Sequence, residues 1–270
     1  LSHPRKEREY FASSFIIGSL FSRQTMEGRS TKIPVAASHF VLNNPMEGPW
    51  PDHMEVAILA NGCFWGSEKG MWRMPGVYST AVGYAAGETL NPSYQEVCSG
   101  RTGHTEAVQV VYDPQEVSFV DILRWFWQSH DPTQGNGQGN DRGTQYRSGA
   151  YYTTEEQGEL IRASKDAYES ALQAQFRIGP ITTEIRPASD FPQIFYYAED
   201  YHQQYLAKPG ARPYCSAQPR GVSLPPFDSW APSSLGHLAP KLSEDFWNAN
   251  APKPHSVIQS PNGQLAKSSG

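Results

Sequence analysis

Between Met54 and Pro209 the chain alternates short apolar or β-branched runs with helix-periodic segments, but the alternation is incomplete. Glu55–Ala60 (EVAILA) has the pattern of a buried strand, and Cys63–Met74 that of a helix stopping before Pro75-Gly76. Val77–Tyr84 and Glu106–Tyr112 read as strands. Ser118 with Asp121 forms a capping-box signature ahead of Phe119, Ile122, Leu123 and Phe126 at helical spacing. Ala150–Thr153 is a short strand. Thr154 with Gln157 is a second capping signature. It opens a helix with Leu160, Ile161, Ser164, Ala167, Tyr168 and Leu172 on one side. Ile181–Arg186 and Phe195–Tyr197 are further strands, and Glu199–Leu206 is a last short helix. Some neighbouring strands have no helix between them, which a doubly wound parallel sheet would require. The pattern predicts an α+β fold, a two-layer mixed-sheet sandwich with long irregular N- and C-terminal extensions.

The boundaries fall where the patterning changes: an extension over 1–32, a main domain over 33–210 and an irregular tail over 211–270. The apolar stretch Phe11–Phe21 is flanked by Lys6 and Arg8 on one side and Arg23 and Arg29 on the other. It reads as a disordered leader or as the remnant of a targeting segment, so cytoplasmic and organellar locations both stay open. No apolar run reaches the roughly 18–20 residues that span a bilayer, and no membrane partner is expected. The net charge of −5 carries no basic excess, which argues against a nucleic-acid binder. Three cysteines in 270 residues make no disulfide scaffold and fit a reducing compartment, where a cysteine is more often chemical than structural. Cys63, Cys98 and Cys215 lie far apart in sequence, without a CxxC pair, so no metal site is expected.

Asn61-Gly62-Cys63-Phe64-Trp65-Gly66 places a cysteine where a buried strand turns into a helix. Free N–H groups and the positive end of the helix dipole then face the sulfur and favour its thiolate. Phe64 and Trp65 can flank it as an apolar wall. The competing reading is a core cysteine between core aromatics. Glu106 stands beside an apolar β-run. Burial there would keep its carboxyl protonated and able to donate, whereas exposure would make it an ordinary edge charge. Residues 131–149 are rich in Gly and carry Asp141, Arg142, Gln145, Tyr146 and Arg147, the composition of a binding loop rather than a passive tether. No GK[ST] follows, so it is not a phosphate loop. His202 is read as a structural hydrogen-bonding group on the last helix.

Four ordered blocks make the chain resemble the A-type peptide methionine sulfoxide reductases over roughly residues 33–225. They are Gly62–Gly66, Gly100–Val108, Gln138–Ser148 and Ala198–Leu206. The resemblance implies an α+β two-layer sandwich that reduces the S-epimer of methionine sulfoxide, free or in oxidised proteins and peptides. It makes 33–210 the catalytic domain. Cys63 is then the nucleophile, Phe64 and Trp65 with the ring of Tyr146 hold the substrate methyl group, and Glu106 protonates the sulfoxide oxygen with help from Tyr94 and Tyr146. Asp141 and His202 match positions that hold the substrate backbone or support the site. Cys215, in Tyr214-Cys215, matches the thiol that resolves a Cys63 sulfenic acid, and the resulting disulfide would be reduced by thioredoxin. Cys98 matches a cysteine without a catalytic role and is expected to be structural, because free cysteines are usually buried. No bound cofactor is implied, and the chain is expected to be a monomer.

Ser223, in Gly221-Val222-Ser223-Leu224-Pro225-Pro226, stands where many relatives carry a further recycling cysteine. A two-step disulfide relay is therefore not expected. Two other readings compete. A cysteine hydrolase would also use a thiolate at a helix start, but needs a histidine base, for which only His104 and His202 are candidates. A non-catalytic binder of oxidised methionine would not need Cys63.

Overall fold

The computed structural model describes residues 26–267. The leader expected at Phe11–Phe21 therefore lies outside the described residues. Six strands form one mixed sheet in the order β7-β6-β1-β3-β2-β8. They are β1 (Glu55–Asn61), β2 (Val77–Ala85), β3 (Thr105–Tyr112), β6 (Ser148–Tyr152), β7 (Glu184–Pro187) and β8 (Phe195–Tyr197). All neighbours are antiparallel except β6 and β7, which run parallel. Two further strands, β4 (Gly137–Gln138) and β5 (Asp141–Arg142), make a small hairpin inside the Gly-rich loop.

The two-residue period of the strands sorts side chains between two cores. Ala57, Leu59, Val82, Tyr84, Val108 and Val110 face the helices, α1 (Phe64–Trp72), α3 (Phe119–Ser129) and α4 (Glu155–Phe176), in one cluster. Ile58, Ala60, Ala81, Ala85 and Ala107 face the other side, under Met46, Tyr151 and Phe195. The sheet is thus covered on one face by helices and on the other by the extended segment around Val35–Met46 and by Phe191 and Ile194. Helix α2 (Tyr94–Cys98) lies in the β2–β3 connection.

Local signals explain most boundaries. Ser118 Oγ accepts the Asp121 N–H and Asp121 returns to the Ser118 N–H, a complete capping box. At Thr154 only half the box forms, because the Gln157 carboxamide oxygen accepts from Thr153 rather than from the Thr154 N–H. The strand predicted over Ile181–Arg186 shortens to Glu184–Pro187. Ile181 N–H goes to Glu169 and Thr182 N–H to the Pro132 carbonyl, which draws the first residues off the sheet.

The helix predicted over Glu199–Leu206 is absent. The segment is a run of turns ending in one short 3-10 turn, Tyr205–Ala207. Gln204 takes a left-handed conformation (φ 45°), and its N–H donates to the buried Glu68 carboxylate at 2.7 Å instead of to a carbonyl of its own turn. The Gln203 side chain is likewise spent on the Val82 N–H and carbonyl.

The tail is less irregular than expected. It includes α5 (Glu244–Asn250), which sends Phe246 and Trp247 into the main core, and α6 (Ser256–Gln259). It then straps the outer side of α1. Lys69 Nζ donates to the Ser260 carbonyl (2.8 Å), Trp72 Nε1 to Asn262 (2.9 Å), and Leu265 N–H to the Arg73 carbonyl (2.7 Å). Helix α1 is consequently buried nearly all round, although its own sequence has no continuous apolar face. Among the described residues no helix is long and apolar enough to cross a membrane.

Candidate active site

Strand β1 ends at Asn61, and Gly62 reverses the chain at φ 93°, a conformation that a side chain disfavours. A Cβ at Gly62 would also stand 2.6 Å from the Gln138 side chain. Cys63 follows as the N-cap of α1 without a side-chain cap bond. The orphan N–H of Phe64 is taken from across the sheet: Glu106, at the start of β3, accepts it through Oε2 at 3.0 Å. The carboxyl thus caps α1 beside the sulfur. Its other oxygen is left for the cavity that Glu106 lines with Cys63, Phe64, Trp65, Tyr94, Asp141, Tyr146, Arg212 and Tyr214. That cavity holds ≈ 200 Å³, below the roughly 300–1,000 Å³ of drug-sized sites and suited to one side chain.

Burial governs its electrostatics. Glu106 is 2% exposed, and desolvation, reinforced by Asp141, pushes its carboxyl up to about 8 against the opposing Phe64 N–H. It is therefore a neutral acid at pH 7, the buried one of the two readings that its place beside an apolar strand left open. Burial and then Glu106 also push the Tyr94 and Tyr146 hydroxyls up, so both remain donors. Cys63 departs from expectation. Burial drives its thiol well above the ordinary cysteine range, with Glu106 in its ionised form pushing the same way, and the Trp65 N–H facing the sulfur does not compensate. The resting sulfur is a thiol. Loss of hydration outweighs the helix terminus.

Trp65 is clamped from behind. Its ring stacks on Tyr205 with centroids 3.9 Å apart, and Nε1–H donates to His202 Nδ1 at 3.1 Å. Burial lowers His202 to about 4, so the ring is neutral, and accepting at Nδ1 leaves its proton on Nε2. The Tyr94 ring also packs on His202, at 4.6 Å. Asp141 accepts the Tyr214 hydroxyl through Oδ1 at 2.6 Å, while its buried Oδ2 has no partner.

A thiol, a neutral carboxylic acid, two phenol donors and an aromatic wall meet in one small hollow, on the scaffold that the sequence resemblance implied. The sequence model of the peptide methionine sulfoxide reductase family matches residues 55–224. The chain belongs to this family. It is 56% identical over 202 residues to peptide methionine sulfoxide reductase MsrA 1 of Synechocystis sp., an alignment covering 75% of this chain and 88% of that protein. It is 54% identical to MsrA 1 of Caulobacter vibrioides, over 74% of this chain and 89% of the relative. The fold matches methionine sulfoxide reductase A of Corynebacterium diphtheriae with a TM-score of 0.67 at 42% identity, over 75% of this chain and 95% of that one. The protein is an oxidoreductase that reduces methionine sulfoxide, and its α+β sandwich is that of its relatives.

Two of the expected site residues of this reductase do not line the hollow. His202 lies behind Trp65 and Tyr94 and acts on the cavity through them. Cys215 is buried against the first turn of α1, with its sulfur so close to Gly66, three residues after Cys63, that an added Cβ would approach it to 2.5 Å. Burial raises its thiol too. Trp125, Pro252 and Val257 close over this seat, leaving only ≈ 20 Å³ beside it. Cys63, Cys98 and Cys215 are all free thiols. Cys98, expected to be structural by the usual burial of free cysteine, is instead exposed at the end of α2. Among the described residues no group of three or more His, Cys, Asp or Glu is arranged to hold a metal ion. Tyr214 and Arg212 were not singled out as pocket residues. The only local signal was their closeness to Cys215, because the tail is brought to the hollow by long-range packing.

Proposed function

We propose that the enzyme reduces the S-epimer of methionine sulfoxide, free or within peptides, through a Cys63 sulfenic acid and a Cys63–Cys215 disulfide that thioredoxin recycles. The observation that carries this reading is the neutral Glu106 carboxyl held beside Cys63 by the Phe64 N–H. The substrate methyl group rests against Phe64 and Trp65. The sulfoxide oxygen faces Glu106 and the hydroxyls of Tyr94 and Tyr146. Without such donors, burying a polar oxygen costs roughly 2–7 kcal/mol.

Glu106 gives its proton to the sulfoxide oxygen as the Cys63 sulfur attacks the sulfoxide sulfur, and the thiol proton passes to the carboxylate. The protonated oxygen then passes to Cys63 as both its bond to the substrate sulfur and the new Cys63–substrate sulfur bond break, the thioether leaves, and Cys63 carries the oxygen as a sulfenic acid. The Cys215 thiol then attacks Cys63, releasing water and forming the disulfide. A thioredoxin dithiol reduces that bond and is itself oxidised. Cys215 is packed against Gly66, in the turn that Cys63 caps, so the resolving thiol is held at the same helix end as the sulfur it attacks.

The test is thiol-dependent reduction of peptides carrying each sulfoxide epimer separately. The wild type is expected to reduce the S-epimer alone and Cys63→Ser neither. Reduction surviving in Cys63→Ser overturns the mechanism, and equal use of both epimers overturns the stereochemistry.

A further inference from the structure

The mouth of the hollow keeps two opposite charges apart. Tyr214 stands between them: its hydroxyl binds Asp141 Oδ1 at 2.6 Å, and the Arg212 guanidinium carbon lies 5.5 Å from its ring centroid. Arg212 lines the same cavity as Cys63 and is exposed at its rim. Its backbone is fixed, because its N–H donates at 3.0 Å to the hydroxyl of Tyr205, the ring stacked on Trp65. Other arginines of this chain are engaged. Arg124 pairs with Glu244, Arg147 with Glu184 and Arg186 with Asp190. Arg212 has no carboxylate partner among the described residues, although Asp141 lies at the far end of the same phenol. Asp141 in turn keeps a buried Oδ2 without a donor.

A guanidinium presents a planar fork that matches a carboxylate with two parallel hydrogen bonds, and a lone carboxylate oxygen asks for an N–H. A substrate would satisfy both by placing an N–H on one side of the sulfoxide side chain and a carboxylate on the other. This inference rests on reading the hollow as the sulfoxide site. We propose that Arg212 is a carboxylate-recognition subsite, so that the reductase favours methionine sulfoxide with a carboxylate on its C-terminal side. That carboxylate is either the free α-carboxylate of the residue itself or the side chain of a following acidic residue. The Arg212 charge offsets the repulsion that Asp141 would impose on such a substrate.

The experiment compares kcat/KM with dithiothreitol as reductant for two matched pairs. One pair is N-acetylmethionine sulfoxide as free acid and as amide. The other is an amidated pentapeptide with Asp or Asn after the sulfoxide. Wild type is expected to favour the acidic member of at least one pair by about three- to tenfold. Preference in the first pair assigns the α-carboxylate, and in the second the side chain. Raising ionic strength from about 0.05 to 0.5 M should shrink the ratio, because the guanidinium is exposed. Arg212→Gln should bring the ratio close to one, and Arg212→Lys should keep part of it, since a point charge replaces the fork. A wild-type ratio of one in both pairs, or a ratio that persists in Arg212→Gln, overturns the subsite. The salt dependence of the wild type decides the matter even if a variant does not fold. Reduction of none of the four substrates by wild type would instead overturn the sulfoxide reading itself.

Discussion

The first turn of α1 holds two thiols in contrasting settings. Cys63 opens onto ≈ 200 Å³ of cavity with Glu106, Tyr94 and Tyr146 around it. Cys215 is pressed onto Gly66 under Trp125 and Val257, with ≈ 20 Å³ beside it. The donors around the first are in place before any substrate arrives, while the second is covered by the tail. The difference separates a thiol open to substrate from one that packing withholds.

Replacing the covered thiol should have the largest effect. Cys215→Ser is expected to complete one sulfoxide reduction per enzyme and then stop cycling with thioredoxin, leaving a sulfenic acid on Cys63 that mass spectrometry locates. Continued cycling would show that the two thiols are not partners. Next comes the acid. Glu106→Gln is expected to slow single-turnover reduction by about 10²–10⁴-fold, the usual worth of a positioned proton donor.

The same group sets a pH dependence. The Glu106 carboxyl lies at about 8, above the ordinary 4.5, so the donating form is complete at pH 6 and lost as pH rises through 8. The single-turnover rate should fall over that window in wild type. A rate rising through pH 8 would make the free Cys63 thiolate the reacting form. A smaller effect is expected from thinning the cover. Val257→Ser should speed Cys63–Cys215 disulfide formation severalfold at a cost of about 1 kcal/mol in stability. Quenched-flow thiol counting separates this from the oxygen-transfer step, and an unchanged rate would mean that the cover does not restrain Cys215. Smallest is Ser118→Ala, remote from both thiols, which should lower stability by about 1 kcal/mol in thermal unfolding through loss of the α3 cap, and leave both steps alone.

What could be read from the chain follows the range of the interactions. The Ser118–Asp121 box and the alternation in β1 and β3 are local, and the structure contains both. Glu106 was legible only in part: an acid at the start of a strand can be buried or an ordinary edge charge, and only its place across the sheet from the Phe64 N–H decides. The state of Cys63 was not legible: a helix terminus is visible in sequence, but the burial that overrides it is set by the folded chain. The false helix at Glu199–Leu206 has a similar cause. Its periodicity is real, but Glu68, more than a hundred residues earlier, claims the Gln204 N–H. Arg212 and Tyr214 lie in a stretch with no regular pattern, so only the folded tail could place them at the hollow.

The strap across α1 also imposes an order on synthesis. Ser260, Asn262 and Leu265 are translated nearly two hundred residues after Lys69, Trp72 and Arg73, the groups whose polar atoms they complete. Until they leave the ribosome, the nascent helix carrying Cys63 has a wet, half-finished back. A fully walled helix thus requires residues 260–265, and a chain cut short before them would carry its redox centre on a loosened support.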